Sequence, residues 1–482
     1  MMLLSRFRAL FVRAEDVSAA CLLLVYPIAL LATVWVYPVW ERYGIRFQVL
    51  CNSALIAMAV IVCSANALSR FSKWFWQSKF IYLLPLWLSW LMLMGFAHGF
   101  SASSVHGQGL LSGALLALVL PFVCYLFLSI KSRWILIAAT VLLFVVVFSE
   151  CLFLSMYTSM GVGHNNSFTF FGDELPRVFL NTRDGGSWAI ALSAYAFSVW
   201  LKLSSRSDGV PISFMGNAVV CAVLIPVYYL ALITSARGVV ASIAFAVLLS
   251  VLSGAVPLWK MLKYIYLNLF SLAVAQASLS LLRLELDPSY SLGQRLVGGD
   301  SSRLQMIQSW LASFQADRLA WFWGKGFNHY PRDFLPEALS TNVHNLYVQF
   351  IVDAGALGFV VASLSAWIIL RGVRSTMRPA SSLARPILVY ALAAFFVYSA
   401  TAALLVWPSG IWISMLLLII PYRLCLGEWS NISPDDCAFS GGGLGWRAIP
   451  ARVIFISFLA IQIPLVTYRH TFLASLFIQI NQ

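Results

Sequence analysis

Long apolar runs separated by short polar or basic joints recur along almost the whole chain. They lie near 17–38, 45–68, 80–97, 109–130, 134–157, 187–203, 213–234, 238–254, 258–281, 344–370, 385–406 and 409–426. A run of about 20 apolar residues is long enough to cross the roughly 30 Å hydrocarbon core of a bilayer as a helix. Only structures that pair their own backbone polar groups survive there. The pattern therefore predicts an all-α polytopic membrane protein with about twelve transmembrane helices. A further run near 452–468 contains Pro464 and follows the Gly-rich SGGGLGW segment, and a thirteenth span there is left open. No internal repeat is legible.

The joints between runs alternate in charge. Arg6, Arg8 and Arg13 precede the first span. Arg70/Lys73/Lys79, Lys131/Arg133, Lys202/Arg206, Lys260/Lys263 and Arg371/Arg374/Arg378/Arg385 then occupy every second joint. By the positive-inside rule these face the cytoplasm. The opposite side receives 159–186, the tight Thr234–Gly238 turn and a long loop from about Arg283 to Val343. The chain thus divides into N-terminal spans (1–282, about nine), a periplasmic loop (283–343) and C-terminal spans (344–482). The opening MMLLSRFRALFVRAED has no small-residue cleavage site, so the first span is expected to be retained.

The loop reads as partly helical. SSRLQMIQSWLASFQ spaces Leu304, Ile307, Leu311 and Phe314 for one helix face, and Ser302 with Gln305 fits a capping box. This helix either lies on the bilayer surface or binds a ligand. WFWGKGFNHY follows, aromatic enough for a membrane interface.

Composition agrees. Of the 482 residues, 61% are hydrophobic and 10% charged, where soluble domains carry about a quarter charged residues. The net charge of +13 sits largely in short joints, so topology explains most of it and nucleic acid is not expected. Seven of the eight cysteines lie in or beside apolar runs and no CxxC occurs, which points to neither a disulfide framework nor a zinc site. Asp173/Glu174 and Asp333/Glu337 are isolated pairs, so no metal is implied.

Arginines on the outer side run against the topology rule and need another reason: Arg177, Arg183, Arg237, Arg283, Arg295, Arg303, Arg318 and Arg332. In LITSARGVV, Arg237 occupies a turn too short to be a solvated loop, with no acid near it in sequence. Arginine at a membrane is usually paired, so its partner is remote in the chain or is an anionic ligand. Arg183 has Asp184 beside it, so a local ion pair competes with a ligand role. Gly185 and Gly186 allow close backbone approach to a ligand or make an ordinary turn. Arg303 opens the amphipathic helix. In STNVHNLYVQFIVDAGALG, His344 enters a span, where a helix N-terminus favours a neutral imidazole able to accept a proton. Asn342 and Asn345 flank it as helix caps, imidazole partners or sugar contacts. Asp353, nine residues into the span, is either a partner for an arginine or a polar helix contact. Several guanidinium groups and one histidine at one membrane edge suit a lipid-linked diphosphate, whose oxygens guanidinium matches bidentately.

In these segments the sequence resembles the O-antigen ligase/polymerase family of bacterial envelopes. The resemblance rests on SSRLQMIQSWLASFQADRLAWFWGKGFNHY, on STNVHNLYVQFIVDAGALGFVV with its Gly355 and Gly358, and on TSARG two spans earlier. It covers roughly 303–360 and 234–238. The family's usual proline before the glycine step is absent, and LAWFWGKG stands there. The resemblance implies a multi-span (GT-C-like), metal-independent, inverting glycosyltransferase of the bacterial inner membrane with its active site facing the periplasm. It implies no cofactor, an undecaprenyl-diphosphate-linked glycan as donor and, for a ligase, lipid A–core as acceptor. His344 matches the family's catalytic histidine, and Arg237 and Arg303 its arginines. Arg183 follows by topology, with Arg295 as a further cation nearby. The single dominant loop and the lack of an appended soluble domain favour the ligase over the polymerase and the protein O-oligosaccharyltransferase. A lipid-linked glycan transporter or flippase is the rival from another class. Against it stand the absence of half-to-half symmetry and spans nearly free of charge.

Overall fold

The computed structural model describes most of residues 65–98, 133–159, 182–206, 214–282, 319–325 and 383–400, with scattered residues in 20–31, 125–130, 308–314 and 347–367. These are helical, with no strand among the described residues. The continuous helices are α1 (Ala65–Gln77), α2 (Leu83–His98), α3 (Arg133–Ser159), α4 (Thr182–Arg206), α5 (Phe214–Ile233), α6 (Arg237–Leu252), α7 (Leu258–Leu281) and α8 (Ala384–Ser399). A single helical turn, Ala320–Trp323, lies between α7 and α8.

Three of these helices are long and apolar enough to cross a membrane: Trp134–Met156, Phe214–Ile233 and Leu258–Leu281. Their exposed faces identify the surrounding medium. On α3, Trp134, Val141, Val145, Phe148, Leu152 and Met156 form an exposed apolar stripe, while Glu150 turns inward and is buried. On α7, Leu258, Leu262, Tyr266, Leu269 and Phe270 are exposed, whereas Asn268 and Ser271 are buried. Apolar outside and polar inside is the arrangement hydrocarbon requires, because a polar side chain in lipid lacks partners. The chain is a membrane protein.

Within the bundle, α4 packs on α3, α5, α6 and α8, α5 packs chiefly on α7, and α6 packs chiefly on α8. Trp188, Tyr195, Phe197 and Trp200 of α4 are all buried. Phe197 stacks on Tyr390 of α8, with ring centroids 4.3 Å apart at 10°, and meets Tyr264 of α7 edge-on at 5.2 Å. Beside these rings the Tyr228 hydroxyl donates to Asn268 Oδ1 (2.7 Å), and Asn268 Nδ2 donates to the Tyr264 carbonyl (2.7 Å). Ser198, Ser242 and Ser250 donate to the carbonyls of Ala194, Gly238 and Ala246 one turn back. Side-chain hydroxyls are thereby satisfied inside their own helices, as an apolar surround demands. Pro226 within α5 brings no N–H to the helix, and its carbonyl accepts from the Cys151 thiol of α3 at 3.4 Å.

Several boundaries differ from the sequence reading. The α7 bounds coincide with the apolar run at 258–281. Helix α1 instead runs through the Arg70/Lys73 joint, because Phe71, Trp74 and Phe75 recur at helical spacing and bury against Tyr125, with Phe71 and Trp74 each 5.4 Å from it. Helix α4 begins at Thr182, so Arg183, Gly185 and Gly186 belong to its first turns and not to a preceding loop. Helix α8 ends at Ser399, short of the apolar run that continues to 406. The runs at 409–426 and 452–468 lie outside the described residues.

Candidate functional site

The starts of α4 and α6 and the end of α8 meet at one end of the bundle. Gly186, in the second turn of α4, is buried between Val239 of α6 and Tyr398 of α8. A methyl group on Gly186 would overlap the Tyr398 hydroxyl and sit 3.1 Å from Val239 Cγ2. Glycine is used here for close approach: with no side chain, α4 comes into direct contact with both neighbours.

Arg237 is the first residue of α6 and is half-buried. The turn before it is tight. Thr234 donates through its N–H (3.1 Å) and its Oγ1 (2.6 Å) to the Leu230 carbonyl, and Ala236 N–H donates to the Ala231 carbonyl at 2.8 Å. The helix then starts with no side-chain cap and no acidic residue in its first turn. The first N–H groups of a helix carry partial positive charge, so Arg237 adds to a positive pole that no acid of its own turn offsets. Arg183 occupies the first turn of α4, which meets α6 at this same end.

Tyr347 joins the same end from another part of the chain. Its hydroxyl donates to the Phe396 carbonyl of α8 at 2.8 Å, and the two rings stack with centroids 6.5 Å apart at 13°. Tyr347 follows His344 by three residues. His344, Asn342, Asn345, Arg295, Arg303 and Asp353 lie outside the described residues, as does the side chain of Arg183. Of the residues singled out from sequence, the described structure therefore brings together the backbones of Arg183 and Arg237, with Tyr347 near them against α8.

Three buried residues of the bundle were not singled out from sequence. Ser399, the last residue of α8, is fully buried, and its Oγ has no hydrogen-bond partner among the described residues. Tyr398 fills the space that Gly186 leaves. Glu150 of α3 is 3% exposed, on the buried face that also carries Leu143, Val146, Val147 and Leu154. The signal for Glu150 was available, since one acid inside a long apolar run is rare. Tyr398 and Ser399 gave none, because the apolar run continues past them to 406.

A second assembly lies around the helical residues at 347–367, which the sequence predicts as one continuous span. The Val352 carbonyl accepts a hydrogen bond from the Lys325 N–H at 2.8 Å. Gly355 has φ +62°, a left-handed conformation that glycine adopts readily. A side chain at Gly355 would collide with the Phe322 carbonyl and the Gly324 amide. The Phe322–Lys325 turn thus packs directly on the helical residues at Val352 and Gly355. Lys325 Nζ stands 6.0 Å over the Phe314 ring, which in turn lies 5.0 Å from the Trp321 ring. Trp90 and Met94 of α2 pack with Ala354 and Val361. His98 Nε2, at the end of α2, lies 3.4 Å from the Trp323 carbonyl.

No group of three or more histidine, cysteine, aspartate or glutamate side chains disposed to hold a metal ion occurs among the described residues. In comparison with known proteins, the chain matches no protein-family model and no curated sequence.

Proposed function

We propose that the protein is an O-antigen ligase that moves a glycan from an undecaprenyl-diphosphate donor to a sugar hydroxyl of lipid A–core at the periplasmic face of the bacterial inner membrane. The observation that carries this reading is the meeting of the Arg183- and Arg237-bearing helix starts with the end of α8, against which Tyr347 packs three residues after His344. Two helix N-termini with two arginines make a positive pole suited to a diphosphate. In the proposed reaction, Arg237 with Arg183 and Arg303 holds the donor diphosphate, with Arg295 in a supporting role. The acceptor hydroxyl gives its proton to His344 as its oxygen attacks the anomeric carbon from the face opposite the diphosphate. The carbon–oxygen bond to the diphosphate breaks, the electron pair leaves with the phosphate oxygen, and the arginines stabilise the added charge. Asn342 and Asn345 orient the imidazole or the sugar.

The same site chemistry serves a polymerase, whose acceptor is a second lipid-linked glycan, or a protein O-oligosaccharyltransferase, whose acceptor is a side-chain hydroxyl. A lipid-linked glycan transporter is favoured by one observation, the left-handed conformation of Gly355 among helical residues, since departures from regular helix form binding sites in many transporters. Glu150 also adds a buried acid within a span.

The test is a transfer assay with purified protein, lipid-linked glycan and lipid A–core in the presence of a chelator. The ligase reading expects glycan on lipid A–core from the wild type and a loss of about 100-fold or more in His344→Ala and Arg237→Ala. Extended lipid-linked glycan with none on lipid A identifies a polymerase. Donor movement across liposomes with no covalent product overturns the enzyme reading in favour of transport.

A further inference from the structure

The end of the bundle away from Arg237 holds two lysines that the proposed reaction does not use. Helix α6 runs from Arg237 to Leu252, about 24 Å at 1.5 Å per residue. The chain then turns through Gly254, at φ 63°, to Pro257, which precedes α7. From its start α7 presents Leu258, Trp259, Leu262, Tyr266, Leu269 and Phe270 outward, while Met261, Tyr264, Leu267 and Asn268 are buried. Trp259 is 59% exposed and is the first ring of this lipid-facing stripe. Tryptophan is favoured at the membrane edge, where its ring meets acyl chain and its N–H meets water or a headgroup.

Lys263 stands on the same face, four residues and so one turn beyond Trp259. A lysine in a lipid-facing stripe lays its stem along apolar surface and carries its ammonium to the membrane edge. Lys263 does so, and its Nζ lies 5.6 Å from the centroid of the Trp259 ring. Lys260 brings a second ammonium to the same ring, at 5.3 Å. An indole face attracts a cation, but two ammoniums beside one ring repel each other, and both stand at the positive end of the α7 dipole. No acid in the first turn of α7 offsets them, and the one acid whose side chain is described, Glu150, is buried in α3. Topology explains basic residues in this joint but not their gathering about a lipid-facing indole. The counter-charge therefore comes from what surrounds α7, and that is lipid.

We infer that the start of α7 is a binding site for an anionic phospholipid. The headgroup phosphate lies between the Lys260 and Lys263 ammoniums beside the Trp259 indole, and the acyl chains run down Leu262, Tyr266, Leu269 and Phe270. Charge selects the headgroup: a phosphatidylglycerol brings a net negative charge, whereas a phosphatidylcholine adds a cation that the lysines repel. A free phosphate ion would use the lysines and leave the apolar stripe idle. The site lies at the other end of α6 from Arg237, so the inference is independent of the proposed transfer reaction.

The experiment places the full chain in nanodiscs of phosphatidylcholine containing a small fraction of photoactivatable lipid, either phosphatidylglycerol or phosphatidylcholine with a diazirine in its acyl chain. Cross-links to the 258–270 segment are mapped by mass spectrometry. One lysine near the surface favours anionic lipid by about fivefold, so phosphatidylglycerol should label this segment about 25-fold more than phosphatidylcholine in the wild type. The preference should fall to about fivefold in Lys260→Gln or Lys263→Gln and to parity in the double variant. Lys260→Arg with Lys263→Arg should retain it, as should Lys73→Gln on α1, which removes the same charge elsewhere. A wild-type preference below threefold overturns the site, and so does an equal loss in Lys73→Gln, which would reduce the effect to general surface charge. Abolition of labelling by inorganic phosphate at constant ionic strength also overturns it, since the lysines would then serve a soluble anion. None of these outcomes depends on transfer activity, so the proposed function and the lipid site stand or fall separately.

Discussion

Substituting Gly186 by alanine sets two opposing effects against each other. An alanine within a helix is favoured over glycine by roughly 1 kcal/mol, so on propensity alone Gly186→Ala should stabilise α4. The new methyl, however, lands on the Tyr398 hydroxyl and sits 3.1 Å from Val239 Cγ2 and 3.2 Å from Tyr398 Cζ. Overpacking of this kind costs about 1–3 kcal/mol, because the neighbours must shift or take poor rotamers. The balance is a net loss of about 0–2 kcal/mol, with packing outweighing propensity. The sharper quantity is the coupling. Tyr398→Phe removes the atom in the methyl's path. In the double variant the overlap is gone, and the contacts that remain, Val239 Cγ2 at 3.1 Å and ring Cζ at 3.2 Å, are tight but relieved by small shifts, so part of the propensity gain is recovered. A cycle of equilibrium unfolding measurements in mixed detergent micelles should give a favourable coupling of at least about 1 kcal/mol, within the range seen for residues in contact. Additivity to within about 0.3–0.5 kcal/mol would mean that α4 and α8 are not in contact at Gly186. A net stabilisation by the single variant would refute the close approach on which the site geometry depends.

Two further outcomes follow from the bundle interior. Tyr228→Phe leaves Asn268 its donation to the Tyr264 carbonyl but removes the hydroxyl that donates to Oδ1; the same unfolding measurement should register a loss of about 0.5–1.5 kcal/mol. Glu150→Lys reverses a charge buried among Leu143, Val146, Val147 and Leu154, and a loss of about 3–5 kcal/mol should abolish recovery of monodisperse protein, while Glu150→Gln, similar in shape, is recovered near wild-type yield.

How much of this was legible in the chain depends on the scale at which a residue's position is decided. The cores of the apolar runs were legible, because the length of an apolar stretch is set by lipid and not by neighbours: α7 occupies Leu258–Leu281, the interval read from sequence. Helix ends were less so. The Arg70/Lys73 joint is helical because Phe71, Trp74 and Phe75 find Tyr125, a partner fifty residues away that no local pattern announces. Glu150 was readable as one acid in an apolar run but passed over. Tyr398 and Ser399 became notable only once Gly186 was seen against them.

The candidate site divides along the same line. Arg237 stood out because charge at a membrane edge is expensive wherever the chain goes next, so its oddity is local. The contact of the 322–325 turn with Val352 and Gly355 could not stand out, since a glycine in an apolar run is also the residue that lets two helices pack closely. What separates the two roles is the sign of φ at Gly355 and the donor at Lys325, both consequences of a loop folding back from elsewhere in the chain. The sequence offered both partners, WFWGKG and VDAGALG, on either side of His344 without indicating that they touch.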